Sequence, residues 1–240
     1  MVSVHSNLAE EVKRVIFTLL ILTGFSVGMV MLAGTDEDEA EKALNNWIKI
    51  QSGLKTWKAD FTQTRTFPTL SNPLVSNGTV FYQEPGMFRW VLGDPPRTIA
   101  WRTRDKVTVY YPLLKRAEVY SLGSDTPGMW RDILSMLDAG FSRERKELES
   151  QFEIIAVSKQ GEVGRVEMKP KNAMARRLMT SLVIEFSPEV PGPTATEFFF
   201  ADGTRMRNDF QNSVVNPELD PEYWDPKLPP DVRIQQPLSK

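Results

Sequence analysis

From Trp57 to Gln211, apolar residues recur with a period of two, in short runs cut by turn-forming clusters. Trp57, Ala59 and Phe61 alternate with Lys58, Asp60 and Thr62; further runs fall at 78–83, Met87–Leu92, 97–103, 107–111 and 117–121. A second series follows at 152–157, 163–169, 178–186, 196–201 and 205–211, separated by KQGE, KPKNA, SPEVPGP and ADGT. Runs this short, joined by turns of a few residues, pair as antiparallel hairpins, because a parallel crossover needs about a dozen connecting residues or more. The pattern predicts one domain of α+β class built on a strongly curled antiparallel sheet of about 10–11 strands, since a sheet so large does not stay flat.

Two segments keep the helical period instead. Residues 36–53 open with a crowd of acidic side chains, suited to a helix N-terminus, and carry Ala40, Ala43, Leu44, Trp47 and Ile48 on one stripe before Gly53. Residues 124–140 offer caps in Asp125 or Thr126, Pro127 in the first turn, an apolar face with Trp130, Ile133 and Leu137, and Gly140 as a stop. Counting a possible short turn near 217–224, two or three helices are available to cover the sheet.

The inward side of a curled sheet must be filled by its own side chains or by helices, or it encloses a cavity. Phe61, Val80, Tyr82, Phe88 and Trp90 share a parity within their strands, as do Ile99 with Trp101 and Val107 with Val109 and Tyr111. These are the candidate lining residues, and Leu44, Trp47, Ile48, Trp130, Ile133 and Leu137 are the candidate lid. Periodicity alone does not separate a dry aromatic core from the wall of an apolar pocket.

The residue inventory narrows the chemistry. There is no cysteine, and the only histidine is His5, so thiolate catalysis and the commonest general base and metal ligand have no place in the strands. We therefore assign no catalytic residue, no metal and no cofactor. Loop carboxylates Asp94, Asp105 and Asp202 are the residual candidates for acid–base work, with ordinary turn hydrogen bonding as the alternative. The 29 Lys and Arg residues nearly balance the 31 Asp and Glu residues, which gives no basic face for nucleic acid.

Before the sheet, Lys13 and Arg14 precede an uncharged stretch from Val15 to Ala33, and DEDEAE begins at Asp36. This order of basic, apolar and polar regions reads as a signal peptide over residues 1–33, with an uncleaved anchor as the alternative, because about 20 apolar residues can span a bilayer. Either way residues 34–240 are expected outside the cytoplasm as one domain or, with the anchor retained, as an interaction module.

The run from Trp57 to Tyr120 resembles the family of periplasmic outer-membrane lipoprotein carriers, the LolA-like proteins. The matching pieces are WKADFTQ, NGTVFYQEPGMFRW, RTIAW and VTVYYPLLKRAEVYSL, with weaker resemblance through VEMKPKN, SLVIEFSPE and the stretch from Asp202 to Ile234. The resemblance implies an unclosed β-barrel with helices as a lid over an apolar cavity, in a monomer located in the periplasm. It further implies that lipoprotein acyl chains enter the cavity from an inner-membrane ABC transporter and leave to an outer-membrane receptor lipoprotein, with no covalent chemistry. A lipid sensor, or a carrier of another lipid, shares every one of these structural features. Carriers of this kind often hold a basic latch residue immediately before the proline that stands here in QEPG. In this chain that position is Glu84, leaving either a solvated turn or a carboxylate that pairs with a lid arginine.

Overall fold

The structure, a computed structural model, describes residues 37–122 and 138–237. Helix α1 (Glu37–Ile50) begins with Glu37, Asp38 and Glu39 and ends near Lys49, so its charges run with the helix dipole. Its buried stripe is Ala40, Ala43, Leu44, Trp47 and Ile48. Among the described residues two short helices follow, α2 (Arg145–Gln151) and α3 (Ala173–Arg176), the latter capped by Asn172, whose side chain accepts from the backbone N–H groups of Met174 and Ala175. The expected helix over 124–140 lies almost wholly outside the described residues; its described end is the single turn Ala139–Phe141.

Twelve strands form one sheet: β1 (Thr56–Thr66), β2 (Leu74–Gln83), β3 (Met87–Leu92), β4 (Thr98–Arg102), β5 (Lys106–Tyr111), β6 (Arg116–Ser121), β7 (Phe152–Gln160), β8 (Val163–Pro170), β9 (Met179–Phe186), β10 (Pro193–Phe200), β11 (Arg205–Val215) and β12 (Arg233–Gln235). Their spatial order is β12-β6-β5-β4-β3-β2-β1-β11-β10-β9-β8-β7, so the first and last hairpin series meet where β1 pairs with β11, and the sheet curls without closing. All neighbours are antiparallel except β12, which runs parallel to β6. Its three residues sit in a proline-rich tail with no alternation to announce them, which is why the sequence predicts fewer strands than are observed.

Among the described residues two apolar clusters fill the inner side. Under β7–β11, Leu44, Trp47 and Ile48 of α1 pack with Leu148, Met168 and Phe186, and Trp47 stacks on Phe186 with ring centroids 4.7 Å apart. Burying one indole removes roughly 150–250 Å² from water, about 4–6 kcal/mol before the entropy of ordering it. Under β1–β3, Trp57, Ala59, Phe61, Val80, Tyr82 and Leu92 form the second cluster. Between the two, Gln51 is completely buried yet satisfied: it donates to the Gly140 carbonyl at 2.8 Å and accepts from the Gly192 N–H at 2.9 Å, tying the end of α1 to the Ala139–Phe141 turn and to the β9–β10 connection.

Candidate functional site

Strand register decides which side chains share a face. Directly opposed pairs Trp57–Tyr82, Ala59–Val80, Val80–Trp90 and Tyr82–Phe88 put these residues on the inner face, and the same register carries Ala100, Val109 and Val107 with them. Trp101, in contrast, lies opposite Arg89, and Ile99 opposite Val91 and Tyr110. Ile99 and Trp101 are therefore on the outer face, and their expected place beside Trp90 is corrected. Alternation identifies which residues of β4 go together; it does not identify which set faces in, because small Ala100 and Thr98 take the buried inner positions.

The outer aromatic face is covered by the chain after β11. Tyr223 packs its ring 4.7 Å from Phe81, and its carbonyl accepts from Arg89 Nη1 at 3.2 Å, with the guanidinium over the ring. Trp101, only 4% exposed, belongs to this outer layer.

On the inner face a cavity of about 80 Å³ runs from Val80, Tyr82, Phe88 and Trp90 across to Leu182, Ile184, Phe198 and Phe210. Its walls are almost entirely apolar. Phe61 does not touch the cavity surface; it leans on Trp90 with centroids 4.1 Å apart, and it can do so because Gly78 is opposite. A Cβ on Gly78 would lie 2.4 Å from the Phe61 ring and 2.1 Å from the Val91 carbonyl. Val109 and Tyr111 are buried on the inner face but away from the cavity, the Tyr111 hydroxyl meeting Glu118 at 3.4 Å. Leu44, Trp47 and Ile48 belong to the packed cluster of α1; Trp130, Ile133 and Leu137 lie outside the described residues.

One side of the cavity is closed by residues 138–143. Phe141 stacks flat on Tyr82, 3.9 Å between centroids, and meets Trp57 edge-on at 5.4 Å. Asp138 receives both hydrogen bonds of Arg102 Nη1, at 2.9 and 2.8 Å; burial raises its carboxyl above the usual range and Arg102 works against that rise. Glu84 forms an ion pair with Arg143, which also donates to the Leu54 carbonyl. Of the two readings left open for Glu84, the pairing is the one observed, to an arginine just past the Ala139–Phe141 turn. Burial is also the main reason that the Tyr82 phenol is raised, with Asp138 adding to it.

Besides Asp138, polar side chains break the apolar wall along one track. Gln63, Asn208 and Thr196 line the cavity and form a chain, Gln63 Nε2 donating to Asn208 Oδ1 at 2.9 Å and Asn208 Nδ2 to Thr196 Oγ1 at 3.1 Å. Arg65, one pleat beyond Gln63, donates through Nε to Gln63 Oε1 at 2.8 Å and is 2% exposed. None of these four was expected at the site, although continuing the β1 parity from Phe61 leads straight to Gln63 and Arg65.

The loop carboxylates do not assemble. Asp94, Asp105 and Asp202 sit in three different turns; Asp105 accepts from the Thr103 hydroxyl at 2.5 Å, which lowers its carboxyl, and Asp202 accepts from the Thr204 N–H at 2.9 Å. These are local turn bonds. Among the described residues no group of three His, Cys, Asp or Glu is placed to hold a metal ion.

The model of the family described as outer membrane lipoprotein carrier protein LolA matches residues 52–227, a span that takes in β1 to β11 and every wall of the cavity. The chain belongs to the LolA family. Solved structures similar to this LolA-family chain include an uncharacterized conserved protein from Thermus thermophilus, with 10% identity, 82% of this chain and 99% of that one covered, and a TM-score of 0.49. A LolA superfamily protein from Nitrosomonas europaea is similar at 8% identity, with 77% and 96% covered and a TM-score of 0.39. The lipoprotein LppX of Mycobacterium tuberculosis is similar at 8% identity, with 76% and 98% covered and a TM-score of 0.40. No curated protein matches the chain. Membership gives this LolA-family protein a lipid- or lipoprotein-binding role of the carrier kind; the cargo is a separate question.

Proposed function

We propose that the protein is a periplasmic carrier that takes the acyl chains of lipoproteins into its aromatic cavity and ferries them from the inner to the outer membrane. The observation that carries this reading is the apolar cavity on the inner face of a sheet with two free ends, closed on one side by Phe141 stacked on Tyr82. Each buried methylene is worth about 0.8 kcal/mol, so a tight complementary slot would hold a lipid anchor too strongly to release it. A narrow cavity that widens around the chains offsets part of that gain with the cost of parting its own aromatic contacts. Residues 1–33 act as the export signal in this reading, an inner-membrane ABC transporter loads the cavity, and an outer-membrane receptor empties it.

The test incubates the purified protein with inner-membrane vesicles carrying a lipoprotein, the transporter and ATP. Lipoprotein appearing in the soluble fraction as a complex with the protein supports the reading. A folded protein that leaves all lipoprotein in the vesicles, and that carries no lipid after purification, overturns it.

A further inference from the structure

Among the buried ionisable side chains, Glu118 is surrounded by partners: it accepts from Tyr120 at 2.8 Å, meets Tyr111 and pairs with Arg116 at 3.3 Å. Arg65 is the exception. It is 2% exposed, its Nε reaches only the neutral carbonyl of Gln63, its Nη1 is buried with no hydrogen-bond partner, and no carboxylate pairs with it among the described residues. The charge acting on it is a like charge, Arg97, whose guanidinium reaches Ser76 Oγ at 3.4 Å; Ser76 is the direct cross-strand partner of Gln63.

A buried guanidinium with no counter-ion is strongly unfavourable, and one with its fork unfilled more so. Burial first and Arg97 second press its pKa down to about 8. A guanidinium gives up its proton with great reluctance, so the response open to it is to acquire an anion. Position says where that anion would come from. Arg65 lies on the inner face one pleat from Gln63 and directly opposite Met206, and both of these line the cavity. Gln63, Asn208 and Thr196 continue as a polar track along the otherwise apolar wall.

We propose that Arg65 is the centre of an anion subsite at one end of the cavity, which takes the carboxylate or phosphate of an acyl-chain amphiphile while the chains lie against Trp90, Phe198 and Phe210. The proposal rests on the cavity holding acyl chains and adds to it a preference for cargo with an acidic group. Planar donors suit either a carboxylate or a phosphate oxygen pair.

Binding of four probes to the purified protein tests this: oleate and oleyl alcohol, which differ in the carboxylate, and phosphatidylglycerol and diacylglycerol, which differ in the phosphate. At least one acidic probe is expected to bind about tenfold or more tighter than its neutral counterpart, as one charge-assisted contact implies. Preference within the first pair identifies a fatty-acid carboxylate, and within the second a lipid phosphate. Arg65→Met should abolish the preference, read as the ratio of acidic to neutral binding within the variant itself, and Arg65→Lys should keep part of it. Equal binding of acidic and neutral probes by the unaltered protein overturns the subsite and leaves the carrier reading standing, a comparison that does not depend on any variant folding. Failure of all four probes to bind overturns both.

Discussion

Phe141 lies flat on Tyr82, its ring plane 4° from parallel, so a residue outside the sheet completes the wall that β2 begins. Removing that ring opens the cavity without touching a strand. Phe141→Ala is expected to cost about 2 kcal/mol, below the roughly 3–5 kcal/mol typical of a fully buried phenylalanine because Phe141 is only half-buried. Dissociation of a bound fluorescent fatty acid should become faster by stopped-flow, with urea unfolding reporting the stability change.

Gly78 is where β2 makes room for the Phe61 ring. Gly78→Ala should therefore destabilise by about 1–3 kcal/mol through overpacking, and push Phe61 toward Trp90. A lower urea midpoint with an altered tryptophan near-UV signal is the expected result; an unchanged midpoint would contradict the contact.

Trp90 and Trp101 stand on neighbouring strands with their indoles on opposite faces of the sheet. Trp90→Ala is expected to weaken uptake of a fatty-acid probe about tenfold. Trp101→Phe should lower stability by about 1 kcal/mol and leave uptake unchanged, since only the outer layer is thinned. Equilibrium titration of both variants with one probe distinguishes them.

Two carboxylates should respond to acid with opposite signs. Arg207 hydrogen-bonds Glu185 at 2.8 Å twice and holds its carboxyl below the ordinary value of 4.5. Its stabilising contribution is present above that value and is lost as pH falls through the folded-state pKa. Asp138 is raised above 3.8 by burial, against Arg102, so the folded state binds the proton more readily and stability falls as pH rises through its window. Urea unfolding between about pH 3.5 and 7 should show Glu185→Gln losing ground to the unaltered protein as pH rises, and Asp138→Asn gaining ground.

The strands were legible in the sequence because side-chain period is fixed by the pleat. Met87–Leu92 coincides with its alternating run, and the β1 run begins within one residue of the observed strand. Facing was less legible. In β4 the outward Trp101 is buried, as is the inward Ala100, so the bulkier set, Ile99 and Trp101, drew the inward assignment although it faces out. Arg65 and Gln63 were missed for a related reason: polar type outweighed parity, yet parity was correct. Glu84, standing where such carriers often hold a basic latch residue, is here the acidic half of an ion pair with Arg143.

The strap formed by Tyr223 grips Phe81 and Arg89, and these two residues alternate along their strands with Tyr82, Phe88 and Trp90 of the cavity wall. The wall there is one strand thick. A displacement of Trp90 by incoming cargo has to move the peptide that carries Arg89, and with it the grip of Tyr223. The two faces are therefore tied together at this point, the strap behind the sheet and the wall in front of it sharing one stretch of backbone.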